Sequence, residues 1–229
     1  MASEVFQVRY LVAANYLRTC PHILEVGGCS TPITSYLRGA HESVTVVDPL
    51  VEPMQAKTLN NRPCVVRHLP LRLEDYSPTG NENGFVVLGM PQLPLERVLS
   101  IMRRCDVSVL EFPVRFLPSC LMFNAILESR EFDVIARVVF DLSHNDVDNL
   151  SDSSMTLRHL FVLKKRSSDA ADVRLSKWLS IGSGYVRDAQ KYARRRHIRD
   201  KAAMFLREHF RSGYTRLRRV RDNRRARSA

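Results

Sequence analysis

The 229-residue sequence has no uninterrupted apolar stretch of about 18 residues, the length that indicates a membrane-spanning helix. Cysteine is also scarce: five are present, an odd number, and no two form a Cys-x-x-Cys pair. This usage argues against a disulfide framework and against a zinc site, and it is typical of reduced thiols. We therefore expect no transmembrane helix, no disulfide partner, no metal centre and a cytoplasmic protein.

The first residues of the chain show neither the basic segment nor the apolar segment of a secretory signal, so we expect none. Hydrophobic residues make up 45% of the chain. That fraction, at this length, is enough for one domain with a buried core together with an appendage.

Positive charge is concentrated at the C-terminal end. Residues 1–186 contain 19 basic and 20 acidic side chains, a balance of −1, whereas Arg187–Ala229 contains 16 basic and 4 acidic ones, a balance of +12. Most of these cations are arginines, which bind phosphate groups in a bidentate way. We expect this tail to bind an anionic partner, and the sequence leaves two open: RNA, or an anionic membrane surface on which the protein would lie peripherally.

Two short apolar segments with polar ends dominate the N-terminal half. The first, His22–Val26, is followed by Gly27 and Gly28, and the second ends at Asp48. Gly27 and Asp48 lie 21 positions apart, close to the spacing of about 20 residues in a βαβ nucleotide site. Glycine lets the backbone approach a ligand closely, and a carboxylate can accept two hydrogen bonds from a ribose diol. The alternative is a buried strand with a glycine turn that binds no ligand.

Residues 25–32, Glu-Val-Gly-Gly-Cys-Ser-Thr-Pro, resemble motif I of the class I S-adenosylmethionine-dependent methyltransferases, an acidic residue followed by three alternating glycines. Glu25 and Gly27 match that motif, whereas Cys29 and Thr31 stand where its second and third glycines would be. These two side chains carry Cβ atoms that disfavour positive φ, so the loop must be shaped differently. The resemblance implies S-adenosylmethionine as the cofactor.

Site residues follow from the same resemblance. It implies that the cofactor is bound by Glu25, Gly27, Gly28, Ser30 and Asp48. The glycine turn would face the amino acid portion of the cofactor, and Asp48 would hold its ribose. Methyl transfer needs in-line placement and sometimes a base, and the catalytic residue stays unknown. Two candidate bases are His144, in a polar loop, and Glu111, at the end of the fifth predicted strand.

The order of predicted elements supports the resemblance independently. Apolar patterning predicts five strand–helix units and then two long strands. The predicted strands are 22–26, 43–48, 63–68, 85–88, 106–111, 131–142 and 156–165, and the helices are 4–18, 31–37, 49–59, 95–104 and 117–129. In the family, the last two strands form a hairpin whose final strand runs antiparallel to the rest. We therefore expect an α/β, Rossmann-like fold with a seven-stranded, mostly parallel sheet and a C-terminal β-hairpin.

The remaining C-terminal part is predicted as an appendage to that domain. We expect a methyltransferase-like domain over residues 1–166 and a linker with an arginine-rich helical tail over 167–229. Within the tail, the pattern predicts a short helix at 171–180, a glycine-containing hinge at 181–184 and a second helix over 185–210.

Three functions remain open from the sequence. The first is a methyltransferase that acts on a small-molecule or glycan-type acceptor and docks through its basic tail. The second is a catalytically degenerate methyltransferase fold whose tail binds nucleic acid or an anionic membrane, which the two replaced glycines favour. The third is an RNA methyltransferase that uses the tail for backbone affinity. The retained Glu25, Gly27 and Asp48 favour the first or the third.

Overall fold

Strands and helices alternate along the chain in the computed structural model, which describes residues 4–28, 31–89, 93–113, 116–141, 157–166 and 173–209. The strands are β1 (His22–Val26), β2 (Ser43–Val47), β3 (Met54–Leu59), β4 (Arg62–Leu69), β5 (Gly84–Val87), β6 (Val107–Pro113), β7 (Phe132–Asp141) and β8 (Leu157–Lys165). The helices are α1 (Glu4–Leu17), α2 (Leu95–Met102), α3 (Leu117–Glu128) and α4 (Val173–His209).

All of these strands join one sheet in the order β3-β4-β2-β1-β5-β6-β8-β7. The five strands β4, β2, β1, β5 and β6 run parallel to one another. Strand β8 is antiparallel to β6 and forms an antiparallel pair with β7. The predicted mostly parallel sheet, with a C-terminal hairpin and a reversed final strand, is therefore confirmed.

The strand number differs from the prediction because residues 49–59 were expected to be helical. Residues 54–59 instead form β3, an edge strand paired antiparallel with β4. Asn60 and Asn61 join the two strands, with φ of 51° and 63°. Two consecutive positive φ values are the signature of a tight hairpin turn, and asparagine tolerates them better than most residues. The sheet therefore has eight strands instead of seven among the described residues.

A second correction concerns the predicted helix over 31–37, where the structure has only a 3₁₀ turn at Ile33–Ser35. Pro32 is extended there, with φ −61° and ψ 148°, so helical geometry cannot begin before it. After the turn, the carbonyl of Leu37 accepts hydrogen bonds from the side chains of Asn60 and Arg38. These bonds occupy the acceptor that a continuing helix would use. Ser30, a residue type that favours the N-cap position and that precedes the predicted helix, lies outside the described residues.

Helix α1 has nearly the predicted length but a different buried face. Val5, Val8, Val12 and Tyr16 recur at helical spacing in the sequence, with Leu11 beside them, and this pattern predicts that they form the buried face. Val8 and Leu11 are instead exposed. The buried stripe consists of Arg9, Tyr10, Ala13, Ala14 and Leu17. The small Ala side chains let the helix approach the sheet closely, and a charged residue lies within this stripe.

Helix α4 is continuous from Val173 to His209, so the predicted hinge at 181–184 is wrong. A glycine in a helix costs about 1 kcal/mol relative to alanine, which weakens a helix without ending it. The chain divides into two compact units, Met1–Val186 and Arg187–Ala229. This boundary coincides with the change in net charge, whereas the predicted domain boundary lay at 166 and 167.

The core of the first unit covers both faces of the sheet. Alternate strand residues such as Ile23, Val109 and Leu160 pack against the buried stripe of α1. The strand residues that point to the opposite face of the sheet include aromatic ones. There, Phe112 of β6 and Phe161 of β8 contact Phe123 of α3 and Tyr185 of α4. Both faces of the central parallel strands β1, β5 and β6 are therefore buried, as their near-continuous apolar sequences require.

Candidate functional site

Four of the five parallel strands end at one level, which defines the carboxyl edge of the sheet. Backbone pairing aligns their last residues, Val26, Val47, Leu69 and Val87, with Leu110 of β6, a strand that continues to Pro113. The residue after each lies one step further along the same edge: Gly27, Asp48, Pro70, Leu88 and Glu111. In open α/β sheets, ligands bind at this edge. The structure thus brings the predicted Gly27 and Asp48 to neighbouring strand ends.

The glycine turn after β1 needs both of its described glycines. Gly27 has φ of 87°, in the left-handed region that favours glycine, and its N–H donates to the carbonyl of Val47 at 3.1 Å. At Gly28 a Cβ atom would lie 2.6 Å from Cγ1 of Val46 and 3.0 Å from Oε2 of Glu25. The turn therefore fits tightly over the end of β2, and a side chain at Gly28 would displace the Glu25 carboxylate.

Replacing Gly28 by alanine is expected to destabilise the protein by about 1–3 kcal/mol, the usual cost of overpacking a rigid site. Val46 is β-branched and cannot rotate away easily. The matched control is Gly184→Ala in α4, where an added Cβ meets nothing within 4 Å and should stabilise the helix by about 0.5–1 kcal/mol. Thermal melting of Gly28→Ala, Gly184→Ala and the wild type measures both changes in stability. Equal stability of Gly28→Ala and the wild type would show that the turn is looser than described.

Glu25 lies fully buried at the end of β1. Its Oε2 accepts a hydrogen bond from the N–H of Ile33 at 2.8 Å, whereas its Oε1 has no partner among the described residues. Burial, together with the nearby Asp48 carboxylate, raises the pKa of Glu25 to about 8. The Ile33 N–H and the Arg9 guanidinium oppose this shift. Glu25 therefore ties the glycine turn to the 3₁₀ turn and leaves one buried oxygen available.

Asp48 follows β2 directly and is itself largely buried. Its backbone N–H donates to the carbonyl of Leu69 at 3.2 Å, which continues the ladder between β2 and β4. Its Oδ1 accepts a hydrogen bond from the N–H of Leu50 at 2.7 Å. These contacts fix the carboxylate at the carboxyl edge, next to the glycine turn.

Glu111 lies in a buried ion cluster that the sequence did not predict. Nη1 of Arg9 donates to both of its carboxylate oxygens, at 3.0 and 2.7 Å, and Nη1 of Arg158 donates to Oε1 at 3.3 Å. Arg9 also donates to the hydroxyl of Tyr10, whose ring stacks on Tyr36. All three ionised groups are at most 6% exposed. Hydrogen bonds from the two guanidiniums therefore occupy both carboxylate oxygens of Glu111.

Some predicted residues lie outside the described part of the chain, namely Cys29, Ser30 and His144. Arg9 and Arg158 escaped the sequence reasoning because each is a single charge in an otherwise apolar pattern. The one available signal was that each interrupts a stripe that should be buried. The same holds for His159 of β8, whose Nδ1 lies 2.5 Å from the hydroxyl of Tyr185.

Among the residues that the structure describes, no group of three or more His, Cys, Asp or Glu side chains is arranged to hold a metal ion. No helix in the described part of the chain is long and apolar enough to cross a membrane.

The sequence matches no protein-family model and no curated protein. Solved structures resemble it in fold. One is 1,6-didemethyltoxoflavin-N1-methyltransferase from Burkholderia thailandensis with bound S-adenosylhomocysteine, at 13% identity and a TM-score of 0.48, covering 72% of this chain and 80% of that one. Another is the N-methyltransferase NodS from Bradyrhizobium japonicum, at 10% identity and a TM-score of 0.47, covering 73% and 100%. A third is the 23S rRNA methyltransferase ErmE, at 14% identity and a TM-score of 0.43, covering 77% and 75%.

The strand order itself is the argument for the fold. The resemblance implied parallel strands followed by a hairpin whose final strand is antiparallel, and the sheet has this arrangement. In addition, β1 lies at the centre of the five parallel strands, and β8 lies between β6 and β7. The additional edge strand β3 extends this sheet without changing the order of the others. The chain therefore has the Rossmann-like fold of the class I S-adenosylmethionine-dependent methyltransferases.

Proposed function

We propose that this protein is a methyltransferase that binds S-adenosylmethionine at the carboxyl edge of β1 and β2. The observation that carries the proposal is the glycine turn at Gly27 and Gly28, closed over the buried carboxyl group of Glu25 and adjacent to Asp48. The residues present fit such a cofactor, because Oε1 of the buried Glu25 lacks a partner among the described residues, and Gly27, with φ of 87°, lets the backbone beside Asp48 approach a ligand closely.

Each residue of the proposed cofactor site has a separate role. The backbone of Gly27 and Gly28 would lie against the amino acid portion of the cofactor, together with Ser30. The Asp48 carboxylate would accept hydrogen bonds from the ribose hydroxyls, and Glu25 would hold the turn in place through Ile33. The cofactor, when bound, supplies an electrophilic methyl group on a sulfonium.

The acceptor that we propose first is a small-molecule or glycan-type compound, with an RNA as the alternative. His144 stays a candidate base. Glu111 could act as a base only after losing hydrogen bonds from Arg9 and Arg158, so it fits a positioning role at the edge better than proton transfer. An assay of methyl transfer from radiolabelled cofactor into small-molecule and RNA fractions separates the two acceptor classes.

A second candidate function is a catalytically degenerate fold that binds a partner without transferring a methyl group. The specific observation in its favour is the loss of the helix after the glycine turn, which is a 3₁₀ turn at Ile33–Ser35. A helix N-terminus at that place would supply backbone N–H groups and a partial positive charge to a ligand. Cofactor binding decides between this candidate and the enzyme.

Replacing Asp48 by alanine is expected to weaken binding of S-adenosylmethionine by about 1.5–3 kcal/mol, because a charged hydrogen-bond acceptor for the ribose is lost. Asp48→Asn keeps an oxygen for the Leu50 N–H and should retain the fold while still weakening binding. Isothermal titration calorimetry with the cofactor and with S-adenosylhomocysteine measures both variants.

The matched control is Asp106→Ala, an exposed carboxylate that precedes β6 at the opposite edge of the sheet. It should bind the cofactor as the wild type does. A wild-type protein that binds neither compound at millimolar concentration would exclude the enzyme and leave the degenerate fold. Equal weakening by Asp106→Ala and Asp48→Ala would exclude a specific ribose contact.

A further inference from the structure

The second unit presents a line of cations on one face of α4. Residues 187, 191, 194, 195 and 198 are spaced by four, three, one and three positions, so they share one side of the helix. Arg187, Lys191, Arg194 and Arg195 are all exposed, and with Gln190 and Ile198 they line a shallow concavity. We call this surface, residues 187–198 on that side, the basic stripe.

The stripe is positively charged along its whole length. A rise of about 1.5 Å per residue places its four cations along about 12 Å of helix axis. One acidic residue, Asp188, occurs in the sequence between 187 and 199, about 100° around the helix from Arg187. Cations in such a line attract a linear polyanion, and arginine in particular suits phosphate oxygens.

Apolar side chains lie in the same line as the cations. Ile198 is 67% exposed and Phe205, 18 positions and five turns after Arg187, is 54% exposed. A helix that lies in a membrane interface separates a strongly apolar face from a charged one. In α4, the exposed Ile198 and Phe205 follow the four cations on the same face instead of forming a separate apolar face, which matches a surface that contacts phosphates and unpaired bases together.

We propose that the basic stripe binds single-stranded nucleic acid, with phosphates on Arg187, Lys191, Arg194 and Arg195 and a base against Ile198. This surface belongs to the second unit, so nucleic-acid binding there does not require a cofactor on the first unit.

The test uses the full-length protein and a fluorescein-labelled oligouridine, with anisotropy measured over a series of salt concentrations. The stripe variant carries Arg187→Gln, Lys191→Gln, Arg194→Gln and Arg195→Gln. The control variant removes four exposed cations from the first unit: Lys57→Gln, Arg62→Gln, Arg104→Gln and Lys164→Gln. Both variants have the same net charge, so a difference between them reports position and not total charge.

The wild type and the control variant should bind oligouridine, and the stripe variant should bind at least about tenfold more weakly at low salt. The slope of log K against log salt should fall by about 0.7 for each single-strand phosphate contact that is lost. Circular dichroism spectra of both variants, compared with that of the wild type, check that their helix content is unchanged.

Three results would overturn the inference. One is equal affinity of the stripe and control variants for oligouridine. Another is tighter binding to a duplex of the same length than to the single strand. The third is binding to phosphatidylcholine vesicles that contain phosphatidylserine, with no binding to oligouridine, because the stripe would then be a membrane surface.

Discussion

Glu111→Gln is expected to destabilise the first unit by about 3–5 kcal/mol, the cost of leaving a buried charge without its partner. The wild-type cluster contains one carboxylate between the guanidiniums of Arg9 and Arg158, all of them at most 6% exposed. Removing the carboxylate charge leaves two buried cations that repel each other. Chemical denaturation, with the midpoint and slope fitted together, measures the loss.

The order of the variants distinguishes this electrostatic account from a simple loss of packing. Arg158→Met leaves the Arg9 cation paired with the Glu111 anion, so the buried cluster has no net charge. This variant should therefore destabilise the protein less than Glu111→Gln. The double variant Glu111→Gln with Arg158→Met leaves one buried cation instead of two and should recover part of the loss. If Glu111→Gln and Arg158→Met are equally destabilising, charge balance does not explain the cluster.

A surface carboxylate provides the matched control. Glu131 accepts hydrogen bonds from Nε and Nη2 of Arg103 at 2.6 and 2.8 Å, a geometry at least as good as that of Glu111, but the pair is exposed. Water stabilises the charges when such a pair is broken, so Glu131→Gln should melt close to the wild type. Glu111 and Glu131 thus compare the same chemical change at a buried and at an exposed position.

Glu111→Gln also tests whether Glu111 is the catalytic base. A base must have an oxygen within reach of the acceptor's proton, and both oxygens of Glu111 accept hydrogen bonds from guanidiniums. We therefore expect Glu111→Gln to lower methyl transfer in proportion to the loss of folded protein. A stable Glu111→Gln protein without activity would instead identify Glu111 as the base.

Local sequence predicted the central parallel strands well because β1, β5 and β6 are short apolar segments buried on both faces. It failed at β3, whose side chains are mostly exposed and so carry no clear apolar alternation. The signal there was the pair Asn60 and Asn61, which tolerates the positive φ of a hairpin turn. A helix was predicted because no strand pattern opposed it.

The candidate site was only half predictable for a different physical reason. Gly27 and Asp48 could be found from their spacing, because backbone conformation and strand ends are local properties. The partners of Glu111 come from α1 and β8, far away in sequence, and the burial of their charges depends on pairing that exists only in the folded chain. The C-terminal limit of the first unit depends on long-range contacts in the same way. Tyr185, which packs in its core, lies beyond the predicted domain boundary at 166 and 167.

Tyr185 closes an aromatic cluster on the face of the sheet opposite α1. Its ring packs edge-on against Phe112 and Phe161, and its hydroxyl is hydrogen-bonded to Nδ1 of His159. Burial lowers the pKa of His159 to about 4, with a further contribution from the Arg137 guanidinium. The imidazole is therefore neutral, which suits a hydrogen bond to the Tyr185 hydroxyl inside the core.

Truncation after Val186 is expected to leave a protein that unfolds cooperatively, whereas truncation after Arg166 should cost about 3–5 kcal/mol, comparable to deleting a buried aromatic side chain. The shorter chain lacks Tyr185 and so exposes Phe112 and Phe161 to water. The longer one ends where the first compact unit ends. Differential scanning calorimetry of both truncated proteins and of the full chain measures the difference.

Two substitutions in the full-length chain separate the contribution of Tyr185 from that of the other residues removed with it. Tyr185→Ala should lose most of the stability that truncation after Arg166 loses, and Tyr185→Phe only about 1–3 kcal/mol, because it leaves His159 Nδ1 unsatisfied. Met204→Ala, at a position 57% exposed on the same helix, is the control and should melt close to the wild type. If the protein truncated after Arg166 is as stable as the one truncated after Val186, the core ends at β8 and the first residues of α4 contribute nothing to it. If Tyr185→Ala alone reproduces the loss, that single ring fixes the C-terminal limit of the first unit.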